Sequence, residues 1–297
     1  MNKGMLYAIA AYGMWGLFPL YWKTLHHVPA LEILSHRMTW SLLFVLILLV
    51  MRRQWGWLKT AVSQPKTMLL FTASAALLSL NWFVYIWGVN AGHIVETSLG
   101  YFINPLVSVL MGVFFLGEKL RRGQWVAIGL AALGVIYLTV RYGALPWIAL
   151  TLATSFALYG LIRKTAPLGS LEGLSLETAL MFIPALGYLV YLEATGTAAF
   201  GHVDTLTTVL LGFAGVATAV PLLLFAAGAR LIKLATIGIL QYIAPTLQFL
   251  IGVLIYHEAF TMDRLVGFSL IWLALLIYSA ENIWFIRHRP RLQPVGD

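Results

Sequence analysis

Apolar residues fill this chain in long unbroken runs separated by short polar segments. The runs cover roughly 4–22, 31–51, 67–89, 93–116, 123–140, 144–163, 174–193, 206–228, 235–256 and 264–286. About 20 consecutive apolar residues are what a helix needs to cross a bilayer core about 30 Å thick. Lipid leaves only helices and closed barrels as spanning structures, because every backbone polar group must find a partner inside the protein. Barrel strands alternate apolar and polar residues over about ten positions, and these runs do not alternate. The pattern predicts an all-α integral membrane protein of ten transmembrane helices. The run at 174–193 is the weakest, with Glu177, Pro184 and Glu193 in or beside it. The first run, behind Lys3, has the length of a signal-peptide core; nine further runs follow it, so it reads as a retained helix.

Two of these runs carry the same interruptions. Gly100–Glu118 reads GYFINPLVSVLMGVFFLGE and Leu240–Glu258 reads LQYIAPTLQFLIGVLIYHE. At an ungapped offset of 140, residues 103–133 match 243–273 at nine positions, among them Pro105/Pro245, Gly112/Gly252 and Glu118/Glu258. Upstream, Lys23-Thr24 recurs as Lys164-Thr165, and Leu31-Glu32-x-Leu34-Ser35 recurs as Leu171-Glu172-x-Leu174-Ser175. The chain therefore divides into 1–141 and 142–297, each with five spans. Five is odd, so the second half enters the membrane inverted relative to the first. Inverted repeats are characteristic of secondary transporters, because two similar halves can exchange conformations around a fixed central site.

Composition agrees with the runs. Hydrophobic residues make up 61% of the chain and charged residues 10%, where a soluble domain carries about 25% charge. Mean hydropathy is +0.87. The net charge of +8 marks orientation rather than nucleic-acid binding. With the N-terminus inside, 15 of the 19 Lys and Arg fall in inner loops and tails, and only Lys23, Arg37, Arg141 and Arg264 fall outside. That asymmetry predicts both termini in the cytoplasm. Cysteine is absent, which excludes disulfides, Fe–S clusters and thiol catalysis.

On these features the chain resembles the drug/metabolite transporter superfamily, with paired EamA domains. The runs GMLYAIAAYGMWGLFPLYWK, EILSHRMTWS and NWFVYIWGVNAGHIVETSLGYFINPL are similar to its RarD branch, named for chloramphenicol sensitivity. The resemblance implies a multi-pass permease of the bacterial inner membrane, moving small organic solutes through a cavity shared by both halves. It supplies no particular solute.

The candidate site residues are the polar and irregular positions inside the spans. A helical proline removes one N–H donor and displaces the carbonyl four residues back, so Pro105 and Pro245 free the carbonyls of Tyr101 and Gln241. Such carbonyls need a neighbouring helix, a side chain, water or a ligand. Either the kinks are closed by packing, or Asn104-Pro105 and Gln241…Pro245 face each other across a cavity. Asn81 and Tyr85, four apart, share a helix face; Asn81 either bonds a neighbouring helix or reads substrate. Trp15 and Tyr159, beside Gly13, Gly16 and Gly160, either pack or line the cavity. Arg37 lies within the second span, where an unpaired charge costs a few kcal/mol. Glu96 is at similar depth, so the two are expected to pair, as a fixed clamp or as a gating, proton-coupled pair. Glu281 reads as snorkelling toward headgroups.

Other classes fit less well. The Asp residues (Asp204, Asp263, Asp297) all lie outside the spans. Neither Gly-x-Ser-x-Gly nor His-Glu-x-x-His occurs, so no enzyme is expected, and no cofactor or metal is called for. No phosphate-binding loop is present to let ATP drive transport. A channel needs no inverted repeat, and a non-transporting receptor or assembly protein leaves it unexplained. The sequence assigns no coupling ion and no oligomeric state.

Overall fold

The structure is a computed structural model that describes residues 3–53, 55–117, 119–229, 231 and 240–288. The repeat mark Glu118 and the basic residues Arg230, Lys233, Arg289 and Arg291 lie outside the described residues. The chain forms α1 (Lys3–Thr24), α2 (Ala30–Arg52), a short α3 (Gly56–Ser63), α4 (Pro65–Asn90), α5 (Ile94–Leu116) and α6 (Arg122–Tyr142). It continues through α7 (Trp147–Thr165), α8 (Ser170–Ala194), α9 (Thr205–Ala229), α10 (Ile243–Leu250) and α11 (Met262–His288). A π-helical segment, Ile251–Ile255, extends α10.

Seven described helices are long and apolar enough to cross a membrane: α2, α4, α5, α6, α8, α9 and α11. Trp147–Arg163 and Ile243–Ile255 are shorter apolar helices. The 22 residues of α1 include several Gly, Tyr and Trp, which dilute its hydropathy. Outward-facing apolar side chains are bare of protein, among them Leu69 (72% exposed), Phe114 (74%) and Ile183 (75%). Water rarely meets such surface on a folded protein; lipid solvates it. The protein is a multi-pass membrane protein.

Local sequence explains the helix ends. Pro65 opens α4, where its missing N–H is an orphan in any case. Gly117 and Gly143 close α5 and α6 with φ of 65°, a left-handed conformation that a side chain disfavours. Gly92, at φ 82°, makes the tight turn from α4 into α5.

Packing follows a repeated scheme. α1 lies against α9 and α10, and α7 lies against α4 and α5. α2 packs on α8, and α6 packs on α11. The Glu32 carboxylate near the start of α2 meets the Ala199 N–H just past α8, while Leu49 near the end of α2 clusters with Leu174 at the start of α8. α2 and α8 therefore run antiparallel. α6 and α11 do likewise, since Arg121 meets Glu281 and Arg141 meets Asp263 at 3.1 and 2.9 Å. The start of α5 meets Glu258, just beyond the π segment that ends α10.

Small residues permit the closest crossings, as expected inside membranes. A Cβ on Gly215 would lie 2.3 Å from the Trp40 backbone carbon, and one on Gly100 would lie 2.8 Å from the Ala149 carbonyl oxygen. Gly16 admits Leu247 in the same way, but Gly13 and Gly160 have nothing within 4 Å, so neither serves close approach.

The two proline-bearing stretches differ. α5 runs unbroken through Pro105. Pro245 sits in the first turn of α10, which starts at Ile243 after a turn at Gln241–Tyr242, so its lost donor costs little.

Candidate functional site

The Arg37 side chain is at the centre of the first half's polar residues. It is 2% exposed and its Nε donates to Thr218 Oγ1 on α9 at 3.0 Å. Its guanidinium lies over the rings of Trp82 at 4.2 Å, Trp22 at 4.7 Å and Phe18 at 6.0 Å. Aromatic faces attract a cation, and three together form a box. Tyr21, Tyr85 and Tyr101 are near enough to feel the charge. Arg37 Nη1 and the Tyr85 hydroxyl are buried without a hydrogen-bond partner.

The expected Arg37–Glu96 pair is not formed. Glu96 instead accepts from the Ile148 N–H at the start of α7, at 3.2 Å. Helix N-termini expose unpaired N–H groups with partial positive charge, so the carboxylate finds its counter-charge in backbone. The gating-pair expectation has no geometric basis here.

Asn81 joins three helices beside this box. Its amide donates to the Leu152 carbonyl at 2.9 Å and to Ser155 Oγ at 3.0 Å, both on α7. Its Oδ1 accepts from the Tyr101 hydroxyl of α5 at 3.3 Å. The Tyr85 and Tyr101 rings meet edge to face at 5.6 Å. Asn81, Tyr85 and Tyr101 are thus brought together with Arg37.

The remaining candidates lie elsewhere. Asn104 donates to the Ala153 carbonyl on α7 at 3.1 Å. Trp15 packs with Tyr12 and Phe225, and its carbonyl accepts from Gln248 Nε2 at 3.1 Å. Gln248, on α10, therefore makes the cross-helix bond, while Gln241 sits half-buried at the turn before it. The α5–α10 contact near the prolines is made by Phe102 and Tyr242, stacked at 6.5 Å.

Sequence reasoning missed a second charged cluster. Glu177, 2% exposed, accepts a hydrogen bond from Ser74 and lies 3.7 Å from Arg163 Nη1. Tyr159 lies within electrostatic range of Glu177, and Arg163 lies over Phe71 at 5.4 Å. At the offset of 140, Glu177 falls on the position of Arg37, a signal available in the sequence. Glu281, read as snorkelling, pairs with Arg121. A crevice of about 230 Å³ between α5 and α7 is bordered by Ser108 and Gly160, one turn past Asn104 and next to Tyr159.

The bundle of apolar helices thus encloses an aromatic box, an amide bridge and two buried charges. Residues 2–140 match the EamA-like transporter family. The chain is 49% identical to the protein RarD of Streptomyces exfoliatus, covering 98% of this chain and 93% of that one. It is 50% identical to the uncharacterized transporter YojE of Bacillus subtilis, over 95% of both chains. It is 44% identical to the protein RarD of Escherichia coli, over 95% of this chain and 96% of that one. A solved crystal structure shares the fold with a TM-score of 0.62 at 17% identity, covering 94% of this chain and 98% of that one. The chain belongs to the RarD-like branch of the EamA-like transporter family, and it is a multi-pass protein of the bacterial inner membrane.

Proposed function

We propose that this protein is a secondary transporter of small organic solutes, working by alternating access. Its two halves, 1–141 and 142–297, would be inverted repeats of five spans each, with both termini cytoplasmic. One observation carries this reading. Helices that correspond under the offset of 140 pack antiparallel on each other: α2 on α8, and α6 on α11. Corresponding helices related by a two-fold axis in the membrane plane must run in opposite senses, whereas a parallel repeat would align them. The exchange of partners, α1 with α9 and α10 against α7 with α4 and α5, supports the same axis. Inverted halves of similar energy provide the two access states.

The solute site would lie between the halves at Arg37, Asn81, Tyr85 and Tyr101. Asn104 and Tyr159, next to the crevice between α5 and α7, would line a path to it, and Trp15, Pro105, Gln241 and Pro245 would shape the helices around it. A channel is the rival reading, and the paired antiparallel correspondence is what it leaves unexplained. We assign the protein no catalytic step.

The test uses full-length protein in liposomes. Solutes are chosen by thermal stabilisation of the detergent-purified protein against amino acids, amphenicols and common metabolites. Saturable counterflow, lowered at least threefold in Asn81→Leu at matched protein levels, is the expected result. A non-saturating conductance, or counterflow equal to wild type in Asn81→Leu, overturns the reading or its site respectively. Reporter fusions after Arg291 that are active only outside the cytoplasm would reverse the orientation.

A further inference from the structure

We propose that Arg37 is the anchor for a carboxylate on the transported solute, so that the preferred substrates are monoanionic organic acids with an apolar or aromatic body. This rests on the transporter reading and gives that site a chemical class. The geometry begins with a charge that the protein leaves uncompensated. Among the described residues no carboxylate lies within ion-pair distance of Arg37; its partners are a hydroxyl and aromatic faces. The acids inside the bundle are committed elsewhere. Glu32 accepts from the Ala199 N–H, Glu96 from the Ile148 N–H, and Glu177 from Ser74.

The repeat sharpens the contrast. Under the offset of 140, Arg37 corresponds to Glu177; under the neighbouring offset of 141, Trp22 corresponds to Arg163. In the second half the pair is Glu177 with Arg163, a charge matched by the protein. In the first half the pair is Arg37 with Trp22, a charge faced by a neutral ring. The counter-charge that one half builds in, the other half leaves to be supplied.

Two donors are available to receive it. Arg37 Nη1 and the Tyr85 hydroxyl are both buried and unpartnered, and Tyr85 lies within electrostatic range of the guanidinium. A carboxylate has two oxygens, each able to accept one of these donors, and guanidinium binds carboxylate well. Leaving both donors empty in a membrane interior carries a desolvation cost that an anion would remove. A single arginine balances a single negative charge, which favours a monoanion over a phosphate dianion. The rings of Trp22, Trp82, Tyr85 and Tyr101 give the rest of such a solute an apolar, polarizable wall.

Wild-type protein in detergent is titrated with benzoate, 3-phenylpropionate and N-acetylphenylalanine, each against its neutral amide. Tryptophan fluorescence and thermal stabilisation report binding, Trp22 and Trp82 being in the box. We expect at least one acid to bind at least tenfold more tightly than its amide. Arg37→Gln should abolish that preference and Arg37→Lys should retain part of it; Tyr85→Phe should weaken the acid several-fold without affecting the amide. If every acid binds no better than its amide in the wild type, the proposal is overturned, whatever the variants do. If neutral solutes then show saturable counterflow, the transporter reading stands without this substrate class. If an acid is preferred but Arg37→Gln, folded by its melting transition, keeps the preference, the anchor is not Arg37 and the assignment fails.

Discussion

Glu258 offers the clearest perturbation of the bundle's architecture. Its carboxylate accepts the Ile94 and Val95 N–H groups at 2.7 and 2.8 Å, capping α5 from just beyond the π segment that follows α10. Nearby, Lys23 Nζ donates to the Val89 and Asn90 carbonyls, both at 3.1 Å, and so caps the end of α4. One turn of chain therefore has its donors met by an acid from the segment after α10 and its acceptors met by a base from α1. Replacing Glu258 by Ala strands two N–H groups and the positive end of a helix. Hydrogen bonds to a charged group contribute about 1.5–3 kcal/mol each when buried, and a carboxylate at a helix N-terminus adds about 0.3–1 kcal/mol. Glu258 is only half-buried, so water replaces part of this. A net loss of roughly 2 kcal/mol is expected, or about 4–8 °C in melting temperature at about 2–4 °C per kcal/mol.

A series separates the cap from other roles of the side chain. Glu258→Gln keeps one acceptor oxygen and should lose about half as much. Glu258→Asp keeps the charge but is one methylene shorter, so it should resemble Ala more than Gln unless the π segment shifts. Melting of the detergent-purified variants, followed by tryptophan fluorescence, gives the order. A Glu258→Ala protein melting within 1 °C of wild type would refute the capping argument, because two charge-assisted bonds cannot then be holding these helices.

Two further perturbations test the fold from other sides. Asp204 caps α9 by accepting from the Thr207 N–H at 2.6 Å, which holds its carboxylate below the usual value of 3.8. Its stabilisation is complete above that unfolded value and is lost as pH falls through the lower folded one. Asp204→Asn, which can still cap, should therefore flatten the fall in melting temperature below about pH 4; an unchanged acid limb would contradict this. Among the glycines, Gly215→Ala should destabilise by about 1–3 kcal/mol through its clash with the Trp40 backbone. Gly160→Ala, with open space around it, should be neutral or gain about 0.5–1 kcal/mol, and equal melting of the two variants would contradict the packing described.

The apolar runs made the spanning helices legible because their signal is local: length and hydropathy need no knowledge of neighbours. α4, α5 and α8 accordingly fall where the runs predict them. The repeat was legible through scarce residues, Pro, Gly and Glu in a largely apolar chain. Less legible was what each repeated residue does. Pro105 and Pro245 occupy the same sequence position, yet the first lies in the middle of a continuous helix and the second in the first turn of α10. Asn81 was visible as a polar residue in lipid, but its partners Leu152 and Ser155 lie in the other half. Thr218, which accepts a hydrogen bond from Arg37, is 181 residues away on a helix chosen only by the fold.

The failed Arg37–Glu96 expectation shows where depth arguments stop. Pairing charges by depth assumes that a side chain in lipid can be compensated only by another side chain. Glu32, Glu96 and Glu258 each turn to backbone N–H groups: at Ala199 beyond α8, at Ile148 entering α7, and at Ile94 and Val95 entering α5. Chain ends brought beside an acid by tertiary packing supply donors that no residue type announces. Acids have this route because N–H groups at helix starts are fixed, convergent and partially positive. A buried arginine can use only carbonyls, hydroxyls, rings or acids. With Glu32 and Glu96 turned to backbone and Glu177 to Ser74 and Arg163, the compensation left to Arg37 among the described residues is Thr218 and three aromatic faces. The excess positive charge at the centre of the first half thus follows from how the acids are satisfied, and it is the feature on which solute selectivity should turn.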